Sequence, residues 1–114
     1  MKLYNASKNI TIADDLHKAV SFLARLKGLL GKSNLRTNEA LWIDNCPSIH
    51  TFFMKFTIDV VFVDEKLIVR AQYSNVKPWK FVAPVWGAKS VFELAEGTIQ
   101  KLNIEVGDQL NVGH

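Results

Sequence analysis

The chain has 114 residues, 48% of them hydrophobic and 22% charged, with a formal net charge of +3. That length holds one core, so residues 1–114 read as a single domain, and the apolar fraction excludes a disordered chain. One cysteine excludes an internal disulfide. No run approaches the roughly 18 apolar residues of a membrane span, and the first residues lack a signal-peptide stretch. The expectation is a soluble, cytoplasmic protein with no membrane partner. The 14 lysines and arginines are dispersed, which permits nucleic acid as a partner without arguing for it.

In chain order, LYNASKNITI reads as a strand, a turn at Ser7-Lys8-Asn9 and a second strand. DDLHKAVSFLARLKGLLGK is ambiguous. Leu16, Val20, Leu23 and Leu30 roughly follow helical spacing, but Ser21 as N-cap and Gly28 past the C-terminus favour a short helix over Phe22–Lys27. EALWIDN and SIHTFFM read as strands around a loop at Pro47. TIDVVFVD and LIVRAQYSNV form the clearest hairpin. NVKPWKFVAPVWGAK reads as a long loop or strand edge, SVFELAEG as a strand, Thr98 as the cap of a short helix through Leu102, and VGDQLNV as a turn and closing strand. Many short strands with one or two short helices predict a mainly β (α+β) domain, an antiparallel sheet of jelly-roll-like or barrel-like form.

The hairpin can be worked through. A two-residue turn at Glu65-Lys66 pairs Val63 with Ile68, Phe62 with Val69, Val60 with Ala71 and Asp59 with Gln72. Alternation then gathers Ile58, Val60, Phe62, Val69, Ala71 and Tyr73 on one apolar face, expected to be core. Asp59 falls on the other, mixed face, diagonal to Arg70 and within reach of an ion pair. That face is expected to meet a cavity or water. The weak point is the turn, because type I′ geometry needs positive φ at two residues that disfavour it.

Several residues are candidates for chemistry. Cys46 and His50, four apart, could pair as thiolate and imidazole, against the plainer reading of a buried cysteine and a backbone-bonded histidine. Three histidines and no paired-cysteine motif do not argue for a metal, and no cofactor is expected. His50 shares a strand face with Phe52 and Met54. Asp59, Arg70 and Glu93 could converge on it, and two carboxylates near a histidine could do acid–base work or simply form a structural network around Arg70. Trp79 and Trp86 flank a proline-containing segment and could stack on a flat ligand, with Lys77 and Lys80 adding affinity for anions; the alternative is that both tryptophans plug the end of the barrel.

ARLKGLLGK, CPSIHTFFMKFTIDVVFVD, VFELAEG and VGDQL, in this order, resemble the family called Domain of Unknown Function 192, over Ala19 to Val112. The resemblance implies a small, mainly β jelly-roll-like or barrel-like domain and no particular activity. It carries the family's distinctive polar positions onto Arg25, His50, Thr51, Asp59 and Glu93. Family members often carry a leader before the domain, which is not seen here, and Glu65-Lys66 replaces a turn that usually holds glycine. The leading expectation is a domain binding a polar small molecule, a sugar or anionic metabolite, through His50, Asp59, Arg70, Trp79, Trp86 and Glu93. The alternatives are a small hydrolase or isomerase using His50 with Asp59 or Glu93, and an interaction module for nucleic acid or protein through residues 77–86.

Overall fold

A computed structural model of the chain describes residues 1–19, 34–45, 48–51 and 54–114. The short helix expected over 22–27, Arg25 and Cys46 lie outside these residues. Ten strands are described: β1 Lys2–Asn5, β2 Ile10–Ala13, β3 Asp15–Ala19, β4 Glu39–Ile43, β5 Ile49–His50, β6 Ile58–Val63, β7 Val69–Val76, β8 Phe81–Val82, β9 Ser90–Ala95 and β10 Leu110–Gly113. Among the described residues one helix, α1, spans Thr98–Lys101.

The mainly β reading holds. A closed barrel does not form among the described residues. Instead there are three sheets: five strands in the order β3-β4-β9-β6-β7, three in the order β10-β1-β2, and the two-stranded ribbon β5-β8. The larger sheet is also not purely antiparallel, because β3 pairs parallel to β4, with Asp15 opposite Glu39. A parallel pair needs a long crossover, and the chain between Ala19 and Glu39 supplies it. β3 covers Asp15–Ala19, which excludes one long helix from residue 14 onward.

The five-stranded sheet is buried on both faces. On one side Val61, Val63, Val69, Phe92 and Leu94 pack against Leu3, Ile12 and Leu110 of the three-stranded sheet, with Ile99 and Ile104. On the other side Ile58, Val60, Phe62 and Val91 pack beneath Ile49 and Val82 of the ribbon. Every residue of β6 and of β9 is buried. Their near-continuous apolar runs are therefore what a strand between two cores requires. Burying each large side chain is worth about 1.5–3 kcal/mol, so the two faces together dominate stability.

The hairpin keeps its face assignment for all but one residue of the expected apolar face, and does not keep its register. Val60 pairs with Tyr73, Val61 with Gln72 and Phe62 with Ala71, two residues on from the two-residue-turn register. A shift of two leaves Ile58, Val60, Phe62, Ala71 and Tyr73 on their expected face, but the irregularity between Phe62 and Val63 turns Val69 to the other side, with Val61 and Val63. The turn is longer than two residues, and its positive φ falls on Leu67, at +63°. Asp64 closes the turn: its Oδ1 accepts from Lys66 N at 2.9 Å and Ile68 N at 3.0 Å. Val69 N then donates to Asp108 O, and Leu110 N to Leu67 O, so the turn docks on the C-terminal segment.

The helix start also differs. Thr98 is the first helical residue rather than the cap; the cap is Gly97 at φ +87°, with no side-chain hydrogen bond of its own. The missing acceptor comes from far away in sequence, as the position of Asp59 makes clear.

Candidate functional site

Asp59 and Glu93 are the two acids set inside apolar strands, and both are fully buried. The register places them on opposite faces of the large sheet. Asp59 lies opposite Leu94, on the side of the core that holds α1, whereas Glu93 lies opposite Val60 and Leu41, on the ribbon side. The two carboxylates therefore do not converge. Asp59 is also saturated by backbone donors. Its Oδ1 accepts from Asn75 N at 2.9 Å and its Oδ2 from Ile99 N at 2.8 Å. It supplies the helix cap that Gly97 cannot, and fixes Asn75 at φ +56°. Phe62 and Tyr73 form an edge-to-face pair, centroids 6.1 Å apart, on the face opposite Asp59, as alternation predicts. The mixed face nevertheless meets a second core, not a cavity, because a second sheet covers it.

The expected Asp59–Arg70 pair is replaced by another. Arg70 Nε donates to Asp64 Oδ2 at 3.0 Å. Burial pushes the Asp64 carboxyl up, but the N–H groups of Ile68 and Lys66 and the Arg70 guanidinium outweigh it, so the group titrates below its ordinary range. Asp64 thus stays ionised and holds Arg70 in place. Among the described residues neither terminal nitrogen of that guanidinium has a hydrogen-bond partner, and the side chain is half exposed.

His50 lies in register with Phe81 on the ribbon. Its neighbour Ile49 is buried in the ribbon-side core, so strand alternation turns His50 away from that core. Thr51 is the organiser of the following loop. Fully buried, its hydroxyl donates to Lys77 O at 2.6 Å and accepts from Lys80 N at 2.9 Å, while its carbonyl accepts from Trp79 N at 3.0 Å. These bonds hold Trp79 at φ +65°. The segment from Val76 to Ala88 buries Val76 and Val82 and packs Val85 and Ala88 against the core, yet leaves its large rings outside. Trp79 is 60% exposed, Phe81 62% and Trp86 97%. The tryptophans do not plug the domain.

Of the six candidates, Arg70 and the turn carrying Trp86 come together. An open depression of about 360 Å³ is lined by Asp64, Glu65, Lys66, Arg70, Gly87 and Lys89. Gly87 follows Trp86 and stands at φ +79°, a conformation that favours glycine; a Cβ there would meet Arg70 Nε at 3.9 Å. Among the described residues, neither the Lys66 nor the Lys89 ammonium is in an ion pair. Three cations thus face one exposed acid, Glu65, and one acid already saturated, Asp64. A second depression, about 520 Å³, lies between β2 and α1 and contains none of the six candidates.

Sequence reasoning missed Asp64, Lys66 and Lys89. Two signals were present. Asp before a polar pair at a strand end is an Asx-turn signature. No Asp or Glu occurs between Glu65 and Glu93, a stretch that holds Lys66, Arg70, Lys77, Lys80 and Lys89.

Fold and site together define a small layered β domain with a cationic depression at the β6–β7 turn and an aromatic loop beside the ribbon. The chain belongs to the DUF192 family, described as Uncharacterized ACR, whose model matches residues 4–112. It is 32% identical to a UPF0127 protein of Thermococcus sibiricus, over 96% of this chain and 73% of the relative. It is 31% identical to a UPF0127 protein of Pyrococcus furiosus, over 95% of each. A crystal structure of a protein of unknown function from Novosphingobium aromaticivorans superposes with a TM-score of 0.78 at 18% identity, over 97% of this chain and 82% of that one. At that identity the likeness speaks for the fold.

Proposed function

We propose that this domain binds a small anionic metabolite, a phosphorylated or carboxylated sugar or acid, in the depression around Arg70. The reading keeps the polar small-molecule ligand expected from sequence and moves it from the interior to the β6–β7 turn. One observation carries it: Arg70, half exposed, is tethered through Nε by Asp64, which leaves its terminal nitrogens without a hydrogen-bond partner among the described residues, in a depression shared with Lys66 and Lys89. A guanidinium held this way has lost its conformational freedom before a ligand arrives and presents paired donors that match phosphate or carboxylate. Trp86, next to Gly87, offers a ring to a sugar face.

Catalysis through Asp59 lacks support. Both Asp59 oxygens are committed to backbone N–H groups, and Asp59 lies on the face of the sheet away from the ribbon that carries His50, whereas Glu93 lies on the ribbon side, apart from Asp59. A cytoplasmic setting belongs to the same proposal. Phosphorylated metabolites are retained inside cells, and one cysteine places no demand on an oxidising compartment.

Isothermal titration with glucose 6-phosphate and with glucose tests the reading. The phosphorylated sugar binds and the neutral one does not. Arg70→Met weakens binding by about tenfold or more, the usual scale for one charge-assisted contact pair, without lowering the melting temperature appreciably. Equal binding of both sugars, or no effect of Arg70→Met, refutes it.

A further inference from the structure

We infer that the exposed loop 79–88 is a membrane-contacting surface that docks this domain on anionic lipid bilayers. No helix among the described residues is long and apolar enough to cross a membrane. The inference is therefore of a peripheral contact, and it departs from the expectation of no membrane partner.

Three observations carry it. The first is exposure. A 114-residue domain with ample core nonetheless leaves Trp79, Phe81 and Trp86 at 60%, 62% and 97% exposure on one continuous segment. Large apolar rings left exposed along one short segment mark a contact surface rather than scatter. The second is composition. Residues 81–88, FVAPVWGA, carry no charged side chain and no side-chain hydrogen-bonding group other than the indole of Trp86; Lys80 and Lys89 stand at the two ends, with Lys77 just before. Nucleic-acid platforms place cations among their stacking rings. An uncharged, aromatic tip bracketed by lysines instead matches the layering of a bilayer edge, with rings at the acyl boundary and ammonium groups at the phosphates. The third is charge segregation. Neither residues 45–58 nor residues 66–92 contain an acid, so the ribbon and the loop itself carry only cations; Asp64, tied to Arg70, and Glu65 stand near Gly87 at the β6–β7 turn, and acids such as Asp14, Asp15, Glu96 and Glu105 lie on other parts of the fold. A negatively charged surface would attract this side and be repelled by the others, which sets orientation as well as affinity.

The loop is also built to insert without unfolding. Thr51 pins residues 77–80 through hydrogen bonds to both its side chain and its backbone, and Val82, Val85 and Ala88 anchor the rest in the core. The rings are presented on a rigid base, so little ordering cost attends docking.

The test uses vesicles of equal parts phosphatidylglycerol and phosphatidylcholine, with pure phosphatidylcholine as the second arm, read by flotation and by tryptophan emission. Trp42 is partly buried and stacked on Phe92, centroids 5.6 Å apart, so a blue shift reports chiefly the more exposed Trp79 and Trp86. The expected result is flotation with the anionic vesicles, a blue shift, and at least tenfold less binding to the neutral ones. Trp86→Ser and Phe81→Ser, both at exposed positions, each lower vesicle affinity by about tenfold while leaving the melting temperature in place. The double variant Lys77→Gln, Lys80→Gln weakens anionic binding only. Arg70→Met, which removes the proposed metabolite contact, leaves flotation unchanged, so the two readings fail separately. No flotation, flotation indifferent to Trp86→Ser, or Trp86-dependent binding of a single-stranded oligonucleotide or of a second copy of the chain in place of lipid overturns the inference.

Discussion

Asp59→Asn separates a structural carboxylate from a catalytic one. In the native fold the two Asp59 oxygens accept from Asn75 N and Ile99 N at 2.9 and 2.8 Å, and the residue is fully buried. The amide keeps one acceptor. Its NH₂ group then faces the other backbone N–H, so one charge-assisted bond is lost and one buried donor is stranded. A hydrogen bond to a charged group contributes about 1.5–3 kcal/mol, and a stranded buried donor costs about 1–3 kcal/mol, terms that overlap in one site. The expected loss is about 2–4 kcal/mol, a large part of the stability of a domain this size. Urea unfolding followed by far-ultraviolet circular dichroism measures it as a fall in midpoint at constant slope. Amide exchange at Ile99 and Asn75 should accelerate well before the global transition. A variant within about 0.5 kcal/mol of wild type, the scale of ordinary surface changes, would refute the cap assignment and restore Asp59 as a group kept for chemistry.

Two further outcomes follow from the hydrogen-bond geometry. Asp108 accepts from Asn5 Nδ2 at 2.9 Å, Lys8 Nζ at 3.1 Å and Glu105 N at 3.0 Å. Burial raises its pKa, but Asn5, the Glu105 N–H and Lys8 together bring it below the ordinary 3.8. A depressed folded pKa gives stability that is present above the unfolded value and is lost as pH falls from about 4 through the folded value, so Asp108→Asn should lower stability at neutral pH and flatten the acid limb of a stability–pH curve. Thr51→Val removes a hydroxyl that donates to Lys77 O and accepts from Lys80 N; the expected cost is about 1–3 kcal/mol with faster amide exchange at Lys80, both measurable in one exchange experiment.

The strands were readable because alternation and turn residues are local. β4, β5, β6, β7 and β9 fall within the segments that the sequence marks as strands, and β1, β2 and β10 overrun theirs by one residue each. Which residues share a face was readable too, since the period of two survives the two-residue register shift of the hairpin; Val69 is the exception, turned to the other core where the ladder is irregular beside Val63. What lies over each face was not. Asp59 looks cavity-facing until the three-stranded sheet is placed above it. Asp59 and Glu93 look alike in sequence, an acid in an apolar strand each, and only the pairing of Asp59 with Leu94 sets them on opposite sides. Long-range pairing is decided by loop closure and packing, which leave no trace in a short window. The Asp64 tether was half legible: its Asx signature sits in plain view, but its use as the anchor of Arg70 depends on a turn one step longer than the simplest hairpin.

β9 has a consequence for how the chain is made. It lies between β4 and β6, two strands completed some 30 to 50 residues earlier, and β10 likewise closes against β1. A nascent chain that ends before Ser90 therefore exposes one bare edge on each of β4 and β6, both apolar and both able to pair with a neighbour. Those two edges stay open until the last quarter of the sequence has emerged and β9 can fill the gap between them.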